Sequence, residues 1–200
     1  RLCQHVALKT RLSVSFTTHG HHIDSELSDQ LRGSVHFIRV SMDGVGATYE
    51  SIRRRPFPKL IDRLANIRTI SRLGVNVVVN ERTLPDLDDV ARVAADAGAC
   101  ELLLLPQVPV RGLASLAAAT VHGLRRWVDS YRGDLKLCIS EESAEGFPTC
   151  DPLMAERGLL AYAHIDAKGV IKRSSYAPAG ALLGEGSVLN ALGQLAHDLA

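Results

Sequence analysis

The sequence predicts an α/β fold of parallel strands, either an open doubly wound sheet or part of a (β/α) barrel. Two observations carry this. Strand-like and helix-like segments alternate up to about residue 140, and their short turns force parallel pairing through right-handed crossovers. The strand segments are also apolar almost without interruption, as strands covered on both faces are. A third observation sets off an appendage. Near residue 145 the pattern gives way to a loop of Gly, Pro and acids, EESAEGFPTCDP, so two parts are expected, 1–145 and 146–200.

The opening residues, RLCQHVALKT, read as a helix already under way, and the chain starts with Arg1, so a piece of a longer polypeptide is expected. Leu12 to Thr18 is the first strand, ended by Gly20. A short helix follows, capped by Asp24 or Ser25 and stopped at Gly33. VHFIRVSMDG is the second strand, with burial expected on both faces. A helical region then runs to Gly74, with Ile61, Leu64, Ala65 and Ile67 at spacings of three and four. Val75 to Asn80 is a β-branched third strand. Thr83 is expected to cap the next helix, with Pro85 in its first turn, acids at 86, 88 and 89, and Gly98 as its stop. CELLLLPQVP, broken by Pro106 and Pro109, is the fourth strand. A helix over about Leu113 to Tyr131 leads to a fifth, LKLCIS. Beyond the boundary, LLAYAHIDAKGVIKRSSY reads as a hairpin turning at DAKG, and a closing helix is capped at Ser187.

Two hundred residues suffice for a full core. A net charge of +1 and only 4% aromatics argue against nucleic acid as a partner. No run approaches the ~20 apolar residues that span a bilayer, and no apolar leader opens the chain. The expected location is therefore the cytoplasm, without a membrane partner. Cysteines 3, 100, 138 and 150 form no C-x-x-C pair, so no local metal ligands are assigned.

In parallel α/β folds ligands bind at the carboxyl ends of the strands. The polar residues there are Thr17, Thr18 and His19; Ser41 and Asp43; Asn80, Glu81 and Arg82; Gln107; and Ser140, Glu141 and Glu142. Each residue type also serves as an ordinary turn former. Gly44 to Gly46 lacks the third glycine of a dinucleotide loop, Tyr49 standing in its place. The HGHH run at 19–22 reads as solvated loop histidines, and the RRR run at 53–55 as a solvated helix end rather than an anion site.

With the elements in this order, the chain resembles the peptide-modifying branch of the radical S-adenosylmethionine superfamily, with a SPASM-type extension. LSVSFTTHG is similar to the family's third barrel strand and IRVSMDG, with its S-x-D-G ending, to the fourth. RLGVNVVVN and ELLLLPQVPVRG are similar to the fifth and sixth. The resemblance implies a partial barrel lacking the first two strands, followed by a hairpin-plus-helix extension. It implies that Ser41 hydrogen-bonds a ribose hydroxyl or the methionyl carboxylate of S-adenosylmethionine. Asp43 would do likewise or only form the turn, and Thr18, Asn80 and Arg82 would line the same pocket. The complete enzyme would also use a 4Fe-4S cluster to abstract hydrogen from a peptide or small-molecule substrate. The cluster motif C-x-x-x-C-x-x-C is absent, so the isolated chain is expected to be inactive. In the extension, Cys150 matches a first cluster ligand, but Ser174 stands where the second would be.

Two other readings stay open. One is a cluster-free, degenerate homologue that binds a peptide or partner. The other is an ordinary (β/α) barrel lyase using His19, Asp43 or Glu141 as acid or base, although no lysine stands at a strand exit to form a Schiff base.

Overall fold

Five parallel strands form one sheet in the order in which they occur: β1 (Ser15–Thr18), β2 (Phe37–Ser41), β3 (Arg72–Val79), β4 (Glu101–Pro106) and β5 (Lys136–Ile139). The computed structural model describes residues 1–108, 116–140, 147, 159, 162–175, 177–184 and 187–197. An order that never reverses belongs to a (β/α) barrel wall. A doubly wound sheet would turn back at a switch point. The helices of this part are α1 (Leu2–Lys9), α2 (Ser25–Leu31), α3 (Gly46–Arg53), α4 (Phe57–Arg68), α5 (Leu87–Asp96) and α6 (Ala118–Ser130).

One face of the sheet meets these helices. Ile38, Val40, Leu73, Val75, Val77, Val79, Leu102 and Leu104 are fully buried in one cluster with Leu60, Leu64 and Ile67 of α4, Val90 and Ala94 of α5, and Leu124 of α6. Each such aliphatic side chain stabilises the fold by about 1.5–3 kcal/mol. Side chains alternate along a strand, so Phe37, Arg39 and Ser41 face the other way and are only half-buried. The expected burial of β2 on both faces is thus corrected to one face.

β3 starts at Arg72, three residues before the expected Val75. Gly74 stops no helix; it lies within the strand. A Cβ there would come within 2.7 Å of the Phe37 ring, so the missing side chain makes room for a neighbour. β1 starts at Ser15, and Leu12 is exposed. Thr83 does not cap α5, because a 3-10 turn over Leu84–Asp86 intervenes. Asp24 does cap α2, accepting from Leu27 N at 2.9 Å. The expected helix start at Leu113, Pro109 and the boundary near residue 145 lie outside the described residues.

The chain divides into two compact units, Arg1–Cys150 and Asp151–Ala200. The second holds a three-stranded antiparallel sheet, β6 (His164–Ile165), β7 (Val170–Lys172) and β8 (Ala181–Leu182), with α7 (Val188–His197) packed on β7 and β8. Its hairpin turns at Asp166 to Gly169, as the sequence predicts. The Asp166 carboxylate accepts from Lys168 N and Val170 N and pairs with Lys172 at 3.0 Å. Those contacts, the Val170 bond first, lower its pKa to about 2. Among the described residues no helix is long and apolar enough to cross a membrane.

Candidate functional site

The sheet face turned away from the helices is polar, and the parallel register sorts it into rows. One row is Thr17, Arg39, Gly74, Glu101 and Lys136; the next, toward the carboxyl ends, includes Ser41, Asn76, Leu103 and Cys138. The Arg39 guanidinium crosses the bare backbone of Gly74 to reach Glu101, with Nε at 2.7 Å and Nη2 at 2.6 Å from Oε1. It also lies over the Phe37 ring at 4.9 Å. This pair floors the face.

Above it, Asn76 is 8% exposed and its Oδ1 accepts no hydrogen bond. A buried acceptor left unmet costs about 1–3 kcal/mol. Its register partner Ser41 is half-buried, and its hydroxyl bonds to none of the described residues. The two side chains stand together with hydrogen-bonding capacity to spare. The sequence reading passed over Asn76, hidden in the VNVVVN run. The available signal was one amide among valines, at a position of the same parity as Gly74.

The rim residues, by contrast, are occupied in holding the loops. Asp43, 5% exposed, accepts from Val78 N at 2.8 Å and pairs with Arg53 at 2.5 Å, tying β2 to β3 and α3. Gly44 (φ 83°) follows, and there a Cβ would strike Thr48 and Asp86. Asp86 reaches back to accept from Val45 N at 3.0 Å. Asn80 accepts from Arg82 N and Thr83 N and donates to Gln107 at 3.1 Å, joining the exits of β3 and β4. Thr83 is fully buried and donates to Val78 O at 2.6 Å. Glu81 accepts from Ala117 N and Thr120 Oγ1, serving as the N-cap that α6 lacks within its own segment. Its own backbone N–H and then those two bonds lower its pKa. Arg82 points to Ser51 of α3, at 2.6 Å.

Thr18 pairs in register with Val40, on the helix-facing side, opposite to Ser41, and its hydroxyl accepts from Gly20 N. Of the five residues expected to line a pocket, Ser41 alone presents an uncommitted polar group on the inner face. Around the β1 exit, His21 Nε2 lies 2.8 Å from the hydroxyl of fully buried Tyr49. Glu141, Glu142 and Cys150 lie outside the described residues.

The donors present do not fit an iron–sulfur cluster. Cys3 is in α1, Cys100 precedes β4 and Cys138 is in β5, and among the described residues no three His, Cys, Asp or Glu side chains gather to hold a metal.

SuiB of Streptococcus suis is similar in structure, with a TM-score of 0.64 at 10% identity over 95% of this chain and 50% of SuiB. The fold is a partial radical S-adenosylmethionine-type barrel. SuiB bound to S-adenosylmethionine matches with a TM-score of 0.60 at 10% identity, over 86% of this chain and 44% of that one. SuiB bound to its precursor peptide SuiA matches with 0.63 at 10% identity, over 95% and 48%. The chain thus spans about half the length of the solved structures it matches. No family model and no curated protein matches the sequence.

Proposed function

We propose that these residues form the S-adenosylmethionine-facing part of a radical S-adenosylmethionine enzyme that modifies a peptide. The observation that carries this is the adjacency of Ser41 and Asn76, two uncommitted polar groups on the inner face of a barrel wall like that of SuiB. Ser41 would donate to or accept from a ribose hydroxyl or the methionyl carboxylate. Asn76 Oδ1, an acceptor, requires a donor opposite, such as a ribose hydroxyl or the methionyl ammonium. When bound, S-adenosylmethionine supplies hydrogen-abstracting chemistry on one-electron reduction. Asp43, Asn80 and Thr83 hold the rim in shape, and the Arg39–Glu101 pair closes its floor. Thr18 and Arg82 take structural rather than ligand-facing roles in this reading, because their polar groups are engaged elsewhere. The peptide substrate is proposed from the likeness to SuiB with SuiA.

Equilibrium dialysis with S-adenosylmethionine tests the reading. The chain is expected to bind it, and Ser41→Ala and Asn76→Ala each to weaken binding about tenfold. The absence of binding, or binding unchanged in both variants, would overturn the reading.

The scattered cysteines favour a second reading, a cluster-free protein that binds a peptide without catalysis. An iron count after anaerobic reconstitution separates the two. Roughly four irons per complete polypeptide support the enzyme, and none supports the binder.

A further inference from the structure

The unpaired cations of the first unit gather at one place. Arg32, Arg39, Arg53 and Arg92 each have a carboxylate partner, whereas Arg54, Arg55 and Arg63 pair with none among the described residues. Arg54 and Arg55 end α3, and Arg63 lies on α4. These two helices pack together through Tyr49 and Phe57, whose rings are 5.4 Å apart. Tyr49 also meets His21 in the loop after β1, and there the His19 ring lies 5.7 Å from His21 and 5.0 Å from His22. Nearby carboxylates are engaged or stand off. Asp43 holds Arg53, Glu50 accepts from Phe57 N, and Asp62 forms no ion pair with Arg63. His21 is held below its ordinary pKa by burial first, and then by His19, Arg55, Arg63 and His22, all of them cationic. Arg54 adopts a left-handed backbone (φ 55°), a place where glycine would be less strained.

We propose that His19, His22, Arg54, Arg55 and Arg63 form a docking site for an acidic peptide segment. Several cations spread over three elements match carboxylates spaced along an extended chain better than one compact anion. The scarcity of aromatic side chains for stacking disfavours a nucleic acid. The site lies at the β1 exit, beside the β2 exit that carries Ser41. Resting on the peptide-modifying reading above, it would hold a charged part of the substrate outside the reacting centre.

Fluorescence anisotropy of the whole chain tests this, with a labelled Glu/Gly peptide, its Gln/Gly counterpart and a single-stranded oligonucleotide. The acidic peptide is expected to bind and the neutral one not, with affinity falling about tenfold from about 50 to about 500 mM salt. Arg55→Gln with Arg63→Gln should weaken binding about tenfold. Arg54→Gly should weaken it while leaving thermal stability equal or higher, because the strained backbone relaxes, so a loss there is not a loss of folding. Oligonucleotide binding equal to or tighter than that of the peptide would overturn the assignment. So would no peptide binding at low salt, or binding unchanged in the variants. Dialysis with S-adenosylmethionine in the same variants reads the underlying proposal separately: retained nucleoside binding without peptide binding sinks only this inference.

Discussion

Asp43 and Asn76 are both buried polar side chains of one sheet, and their surroundings give them opposite duties. Asp43 has a backbone N–H and a guanidinium for partners. Asp43→Asn should therefore destabilise by about 2 kcal/mol, since it leaves Arg53 only partly solvated and without its counter-charge. Urea unfolding measures this. Asn76 has nothing for its Oδ1. Asn76→Val should raise stability by about 1 kcal/mol by removing an unmet acceptor while abolishing S-adenosylmethionine binding, a trade that urea unfolding and dialysis on one sample would reveal. The sequence placed Ser41 and Asp43 at a strand exit correctly, yet could not separate them. Exit position does not say which group finds a partner from a distant loop. Thr18 shows the same limit, since its face depends on register with Val40.

At the scale of elements, the turn and cap chemistry was partly legible. Asp24 and the DAKG turn were readable because their partners lie within a few residues. Glu81 was not, because the helix it caps begins 36 residues later. Its pKa is lowered, so the stabilisation it gives α6 is present above the ordinary value of 4.5 and fades as pH falls through the lower folded value. The stability gap between the natural chain and Glu81→Gln should be full at neutral pH and close in acid, as thermal melts across that range would show. Gly74 misled for a related reason. Glycine marks helix ends in sequence, and its use here is to admit the Phe37 ring and let Arg39 pass. Gly74→Ala should cost about 2–3 kcal/mol through overpacking, measurable by thermal unfolding.

At the scale of the whole molecule, the order of strands and helices was readable because hydrophobic period and turn residues are local signals. The polar inner face was not, because alternation within an apolar run shows only once the register is known. Among the described strands β1 and β5 each pair on one side only, and such open edges invite pairing with other chains. The chain is therefore expected to self-associate as concentration rises, and Thr17→Lys on β1 to reduce this. Light scattering on a size-exclusion column would decide it, and a monomer at all concentrations would count against edge pairing.

The ties between neighbouring rim loops have one more consequence. Asp43, Asp86, Asn80 and Glu81 each fasten the exit of one strand to the segment beside it, so the mouth is assembled during folding rather than by its guest. A nucleoside entering it would meet a preorganised cleft, with most of the ordering entropy already spent. Amide spectra of the rim should consequently shift little on titration, and association should be quick.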